Sequence, residues 1–242
     1  MLTRTNLLGE SSADAHGTGV WTPGAFTPPN NSLLVIFVLA GESAGSSTDV
    51  GATLSVSGGG WTYTPQITID DTTYWASGLR VFTAPVGIGA SMQLTFDCGT
   101  YNIHKYRVVV VAYEGYETDT PVGAMASGWP GVTDGAETLA LSASPASDSE
   151  VVAAIATTSV AASNSVVVGT GWTEQYQVTG AAEYGGLQAQ TRTGSTSTSV
   201  GWDDVSTDAG GLYENLRAAI EIKAAAGGGG PTNHYLESIE IR

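Results

Sequence analysis

The residues of this chain whose types could do chemistry are three histidines, one cysteine, two acidic doublets and six tryptophans. His16, His104 and His234 have no second His or Cys at metal-ligand spacing, so no zinc or hydrolytic metal site is expected. Cys98 is the single cysteine and excludes an internal disulfide framework. Within Leu94-Thr95-Phe96-Asp97-Cys98 it reads as a small buried hydrophobe. Asp70-Asp71 and Asp203-Asp204 could offer carboxylates to calcium, which takes oxygen ligands from loops. Neither follows an EF-hand or nonapeptide pattern, so both are expected to be solvated turn residues. Glycoside hydrolysis needs two placed carboxylates, and no pair stands out. Gly58-Gly59-Gly60 and residues 227–230 lack the Lys-Ser/Thr of a phosphate loop. No catalytic residue, cofactor or metal is therefore expected, and the chain reads as a non-enzyme.

The tryptophans divide into two groups. Trp61 and Trp172 sit in a repeated Gly-Trp-Thr and are expected to anchor the cores of two repeats. Trp21, Trp75, Trp129 and Trp202 are not repeated together, and an exposed one among them could stack on a sugar.

The elements around the two Gly-Trp-Thr copies recur in order. Ser32-Leu33-Leu34-Val35-Ile36-Phe37-Val38 precedes the first, and Ser149-Glu150-Val151-Val152-Ala153-Ala154-Ile155 the second. Gly78-Leu79-Arg80-Val81-Phe82 matches Gly186-Leu187-Gln188-Ala189-Gln190, and Ser91-Met92-Gln93-Leu94-Thr95 matches Ser199-Val200-Gly201-Trp202-Asp203. Each half closes on a strand carrying an arginine, Arg107 or Arg217. The offset stays at roughly 110 residues, the size of one ordinary domain. Short apolar and alternating runs punctuated by Gly, Pro, Asn and Asp argue for antiparallel sandwiches of about seven strands each. Val108-Val109-Val110-Val111 is apolar at consecutive positions, so both its faces are expected to be covered.

The fold class expected is therefore all-β, with two pseudo-repeated antiparallel β-sandwich units of jelly-roll or Ig-like type. One large sandwich formed by both halves is the alternative. The expected division is an irregular N-terminal arm over 1–19, a first repeat over 20–116, a connection over 117–137, a second repeat over 138–225, and a Gly linker with a docking tail over 226–242. In that tail Tyr235, Leu236, Ile239 and Ile241 are the candidate partner-docking residues. The alternation from Ser238 to Arg242 suits addition of a strand to a neighbour's sheet edge.

Composition bounds the partners. Eight Lys and Arg against 23 Asp and Glu give a net charge of -15. So few cations cannot neutralise a phosphate backbone or hold an anionic membrane, and neither nucleic acid nor membrane is an expected partner. No run has the length of a signal-peptide core or a membrane span, which points to a protein made in the cytoplasm.

One further pattern carries a resemblance. A strand opened by a small polar residue, then Gly-Trp-Thr, leads to Val-Val-Val-Val-Ala-Tyr-Glu-Gly (Val108 to Gly115). Asp119-Thr120-Pro121-Val122 follows, and a blander second copy ends near Ala-Ala-Ile-Glu-Ile-Lys. Over about residues 20–225 this resembles the duplicated β-sandwich proteins of tailed-bacteriophage virions, with similar units in some bacterial surface proteins. The resemblance implies a structural protein of the virion, assembled in the host cytoplasm. It would be an accessory capsid (decoration or stabilising) component or a minor tail protein. It implies other virion proteins as partners, with a homo-oligomer and a host glycan as further candidates. The alternative expectation is a carbohydrate-binding module for host or cell-surface glycans, and a glycan hydrolase is the weaker third.

Overall fold

A computed structural model describes residues 1–11, 19–42, 53–71, 77–99, 103–129, 135–158, 165–178, 186–206 and 214–226. The described residues contain sixteen strands and no regular helix, so the all-β expectation holds. The first unit consists of β1 (Thr3–Ser11), β2 (Val20–Trp21), β3 (Ser32–Glu42), β4 (Ser55–Ser57), β5 (Thr64–Asp71), β6 (Ser77–Val86), β7 (Thr95–Asp97) and β8 (Ile103–Glu114). The second consists of β9 (Val122–Gly128), β10 (Gly135–Ala140), β11 (Glu150–Thr158), β12 (Ser165–Val168), β13 (Thr173–Val178), β14 (Gly186–Thr193), β15 (Ser199–Ser206) and β16 (Glu214–Ile222).

The strand orders make the duplication explicit. The first unit has one sheet in the order β1-β8-β3-β6-β5 and another in the order β2-β7-β4. The second has β9-β16-β11-β14-β13 and β10-β15-β12, the same order with every strand number raised by eight. All pairings are antiparallel. The winding β1-β8-β3-β6 across β2-β7-β4 is that of a jelly roll, with β5 carried on the free side of β6.

The side-chain period of two decides where each strand residue goes. On β3, Leu34, Ile36, Val38 and Ala40 point inward and meet Leu54, Leu94 and Phe96 in the first sandwich core. Leu33, Val35, Phe37 and Leu39 point the other way. There they meet Val152, Ala154, Ala156, Leu216, Ala218 and Ile220 of the second unit. The two five-stranded sheets thus pack face to face, and the molecule is a stack of four sheets with three cores. This explains why β3 and β8 read as unbroken apolar runs, including Val108 to Val111, whose two faces are both covered. The halves do not form one large sandwich; they are two sandwiches sharing a middle core.

The stacking is pseudo-symmetric. β1 lies against β13, β8 against β14, β3 against β11, β6 against β16, and β5 against β9. Because β9 corresponds to β1 and β13 to β5, these five contacts map onto one another with the roles exchanged; β5 also lies against β16. That is the pattern of an isologous dimer interface, here inside one chain.

Three expectations need correction. The segment 1–19 was expected to be irregular, yet Thr3–Ser11 forms β1 and pairs with β8 over its whole length. The connection 117–137 likewise carries β9, the counterpart of β1. Arg107 and Arg217 do not correspond. Arg107 lies opposite Leu39 and faces the middle core, whereas Arg217 lies opposite Ile155 and points into the second sandwich. A slip of one residue reverses the face.

Phe37 is fully buried in the middle core. Phe37→Ala should lower the unfolding free energy by about 3–5 kcal/mol, as expected for a large buried aromatic. Chemical denaturation should show both halves lost in one transition.

Candidate functional site

The Gly-Trp-Thr copies mark a turn that only glycine can make. Gly60 and Gly171 have φ of 73° and 81°, a left-handed conformation that costs a residue with a Cβ. Two positions earlier, Gly58 and Gly169 pass so close to the next strand that a Cβ would overlap the carbonyl oxygens of Gln93 and Gly201. The tight crossing delivers the indole to the sandwich. Trp172 is buried in the second core and takes the Arg192 guanidinium on its ring at 4.4 Å. Trp61 is half-buried and packs on the margin of the first core.

The other candidates are structural where described. Asp203 accepts hydrogen bonds from Thr170 N (3.0 Å) and Thr170 Oγ1 (2.7 Å), pinning the turn before Trp172. Cys98 is buried, and desolvation pushes its thiol up to about 12. Trp21 stacks on Phe96 and Tyr106 at 5.9 and 5.7 Å. The Tyr106 hydroxyl donates to Gly19 O, and burial raises it above the usual tyrosine range. Trp202 is buried and donates from Nε1 to Gln188 Oε1 at 2.9 Å. Trp129 is 40% exposed. Tyr235, Leu236, Ile239 and Ile241, with His16, Trp75 and His234, lie outside the described residues, as does the side chain of His104. Among the described residues no three His, Cys, Asp or Glu gather around a common point. A Gly-x-Ser-x-Gly does occur, at Gly41-Glu42-Ser43-Ala44-Gly45, against the expectation that no serine stands in such a motif. It leaves the end of β3, and its serine lies outside the described residues.

Two ion pairs reach into the interior, one buried and one at its margin. Arg217 donates to Glu137 Oε2 at 2.5 Å and to Thr138 O at 2.6 Å; burial lowers its guanidinium and the carboxylate opposes that shift. At the margin of the middle core, Glu150 is met by three donors from two units: Arg4 at 2.6 Å, Tyr113 at 2.9 Å and Thr193 at 2.8 Å. Burial first, and then the carboxylate, hold the Tyr113 hydroxyl well above its ordinary range.

The structure exposes a feature that the sequence reading missed, a pair of seams where the edge strands of the two units face each other. Both begin with the same bulge. The ladder slips between Pro65 and Ile67 in β5, and between Glu174 and Tyr176 in β13. The bulged residues are Gln66 and Gln175, and each donates from Nε2 to a threonine of the next strand, Thr83 or Thr191, at 2.8 Å. The signal was present as a glutamine preceding an apolar residue in both copies, but it is too short to find without the register. At the β1–β13 seam, Asn6 donates to Gln175 Oε1 at 2.9 Å, and the Tyr176 ring lies against Gly9, where a Cβ would overlap it. A cavity of about 210 Å³ remains. At the β5–β9 seam, Ile67 replaces Tyr176 and Ser127 replaces Gly9, and a cleft of about 420 Å³ stays open.

A third feature is the place where Met1 and Ala225 both meet Gly115. The Met1 carbonyl lies against Gly115, and Ala225 N donates to Gly115 O at 2.9 Å. An adjoining cleft of about 380 Å³ is lined by Asn31, Gly87, Gly115, Tyr116 and Thr118.

Compared with known protein families, curated proteins and solved structures, the chain matches none.

Two measurements check these assignments. Arg4→Met leaves the Glu150 carboxylate buried without its cation and should cost about 3 kcal/mol in chemical denaturation, the range for breaking a buried pair. The raised Cys98 thiol favours the folded state below its unfolded value near 9, and that contribution is lost as pH rises toward 12. Between those limits only the folded form keeps the proton, which gives a slope of about -1.4 kcal/mol per pH unit. Cys98→Ala should lack that part of the slope in denaturation curves taken from pH 8 to 11.

Proposed function

We propose that the chain is a non-enzymatic structural protein of a tailed-phage virion, an accessory capsid or minor tail component that docks on other virion proteins. The repeated Gly-Trp-Thr sandwich pattern supports this reading, together with the geometry of the chain ends. Four stacked sheets with a continuous middle core give a body on which docking segments can be carried. Met1 and Ala225 both border Gly115, at one place on the body. By composition residues 227–230 read as a linker. The apolar residues beyond them, Tyr235, Leu236, Ile239 and Ile241, are the docking element in this reading. The N-terminal segment is not, because β1 is committed to its own sheet.

Deletion of residues 227–242 should leave the thermal midpoint of the body within about 2 °C, since surface changes outside packed elements are small. The same deletion should abolish co-sedimentation with particles assembled from the parent lysate. Co-sedimentation undiminished by the deletion would sink the docking role.

A further inference from the structure

The two seams follow one plan and are filled differently. In the β1–β13 seam the chain fills the gap itself: the Tyr176 ring lies where a Cβ on Gly9 would be. In the β5–β9 seam the same two positions carry Ile67 and Ser127. The cleft there is about 420 Å³, against about 210 Å³ in the mate. The mate shows what closes such a gap on this scaffold, a tyrosine ring between two strand edges.

The lining of the wider cleft suits the same group. It consists of Gln66, Ile67, Thr68, Met125, Ala126 and Ser127, none of them charged. Ile67 and Met125 belong to the middle core and give an apolar wall. Gln66 spends one amide hydrogen on Thr83 and keeps its carbonyl oxygen as an acceptor. Ser127 is exposed and adds a hydroxyl. A tyrosine ring matches this wall, with an apolar body and one polar tip. β5 and β9 are the last strands of their sheets, so their outer backbone groups are open to an extended segment.

A tyrosine lies within reach along the chain. Ala226 is the last described residue, and the sequence beyond it holds one tyrosine, Tyr235. Lys223 N donates to Pro121 O at 2.9 Å, which sets residue 223 beside the start of β9. The path from Ala226 back to Lys223, across one strand spacing and on to Met125 is no longer than about 30 Å. Residues 227–235 span about 30 Å when extended, so Tyr235 reaches the cleft of its own chain. A short tether holds its end at a local concentration in the millimolar range. Two bodies of charge -15 repel each other, so a second copy competes poorly.

From these observations we infer that the β5–β9 seam is the docking site of the chain's own C-terminal segment. The Tyr235 ring enters between Ile67 and Met125, and the flanking main chain lies along the free edge of β9. This inference rests on the reading of residues 231–242 as a docking element. It adds where that element sits before it meets a partner: the partner must draw Tyr235 out of the seam.

The test is methyl NMR on the full chain labelled at the methionine methyl groups. There are three methionines, so Met125 is followed singly, with Met92 in the first core as the internal control. Tyr235→Ala should remove the ring current and shift the Met125 signal beyond its linewidth while Met92 stays in place. Tyr235→Phe, which keeps the ring, should hold Met125 near its native position. Ser127→Tyr, which fills the seam as Tyr176 fills its mate, should make Met125 indifferent to Tyr235→Ala. The native Met125 signal should not move on dilution. Thermal melts check that each variant folds, and the two Tyr235 variants decide the matter even if Ser127→Tyr does not fold. A Met125 signal unmoved by Tyr235→Ala overturns the inference. So does one that moves on dilution, which would give the seam to the tail of a second copy. The particle reading fails separately: a Met125 shift in a chain that does not co-sediment with particles leaves the seam contact standing, and co-sedimentation without the shift does the reverse.

Discussion

The apolar face shared by the two five-stranded sheets is the constraint on which the rest depends. A sandwich normally buries one face of each sheet and leaves the other to water. Here β3, β8, β6, β11 and β16 have no water-facing side over their central residues. Polar atoms must then be satisfied locally or displaced to the margins. Glu150 shows how: it occupies the place that Leu33 holds in the first unit and draws Arg4, Tyr113 and Thr193 onto its carboxylate. Glu221, also buried, accepts backbone N–H bonds from Ala124 and Ala146, at 2.7 and 2.8 Å. Each buried charge thus has partners, which a low-dielectric interior demands.

Duplication gives this interface its symmetry, and divergence breaks it where function could enter. The second core is built from smaller strand residues, and Trp172 and Trp202 restore its volume. Gln190 stands where the first unit has Phe82; its amide takes the N–H of Gly169 at 3.1 Å and donates to Gly201 O at 2.7 Å. The replacement ties the Gly-Trp turn to the five-stranded sheet. The same divergence, acting on Ile67 and Ser127, leaves the β5–β9 seam wider than its mate, at about 420 Å³ against about 210 Å³. A single packing scheme therefore yields both a rigid body and a cleft.

Much of this was legible in the residues. The repeat, the all-β class and the two-sided burial of Val108 to Val111 follow from pattern alone. The strand starting at Ser32 is launched by a turn: Asn31 adopts φ 52° and Ser32 Oγ donates to Pro29 O at 2.8 Å. The edge strands β1 and β9 were not legible. Thr3–Ser11 has a polar and small-residue sequence with a bulge at Leu7, and its identity as a strand comes from pairing with β8. Matching Arg107 to Arg217 by residue type failed because register, not composition, assigns a face. The seams were hidden for a related reason: they are made by residues distant in sequence, and only the stacking of β5 on β9 brings Gln66 near Ser127.

Native-state hydrogen exchange followed by mass spectrometry, with denaturant raised in small steps, tests the shared middle core most directly. Peptides spanning β3 and β8 and peptides spanning β11 and β16 should lose protection together, at the same free energy, because each pair covers the other. Loss of protection in β11 and β16 while β3 and β8 remain protected would contradict a common core and make the halves two independent sandwiches.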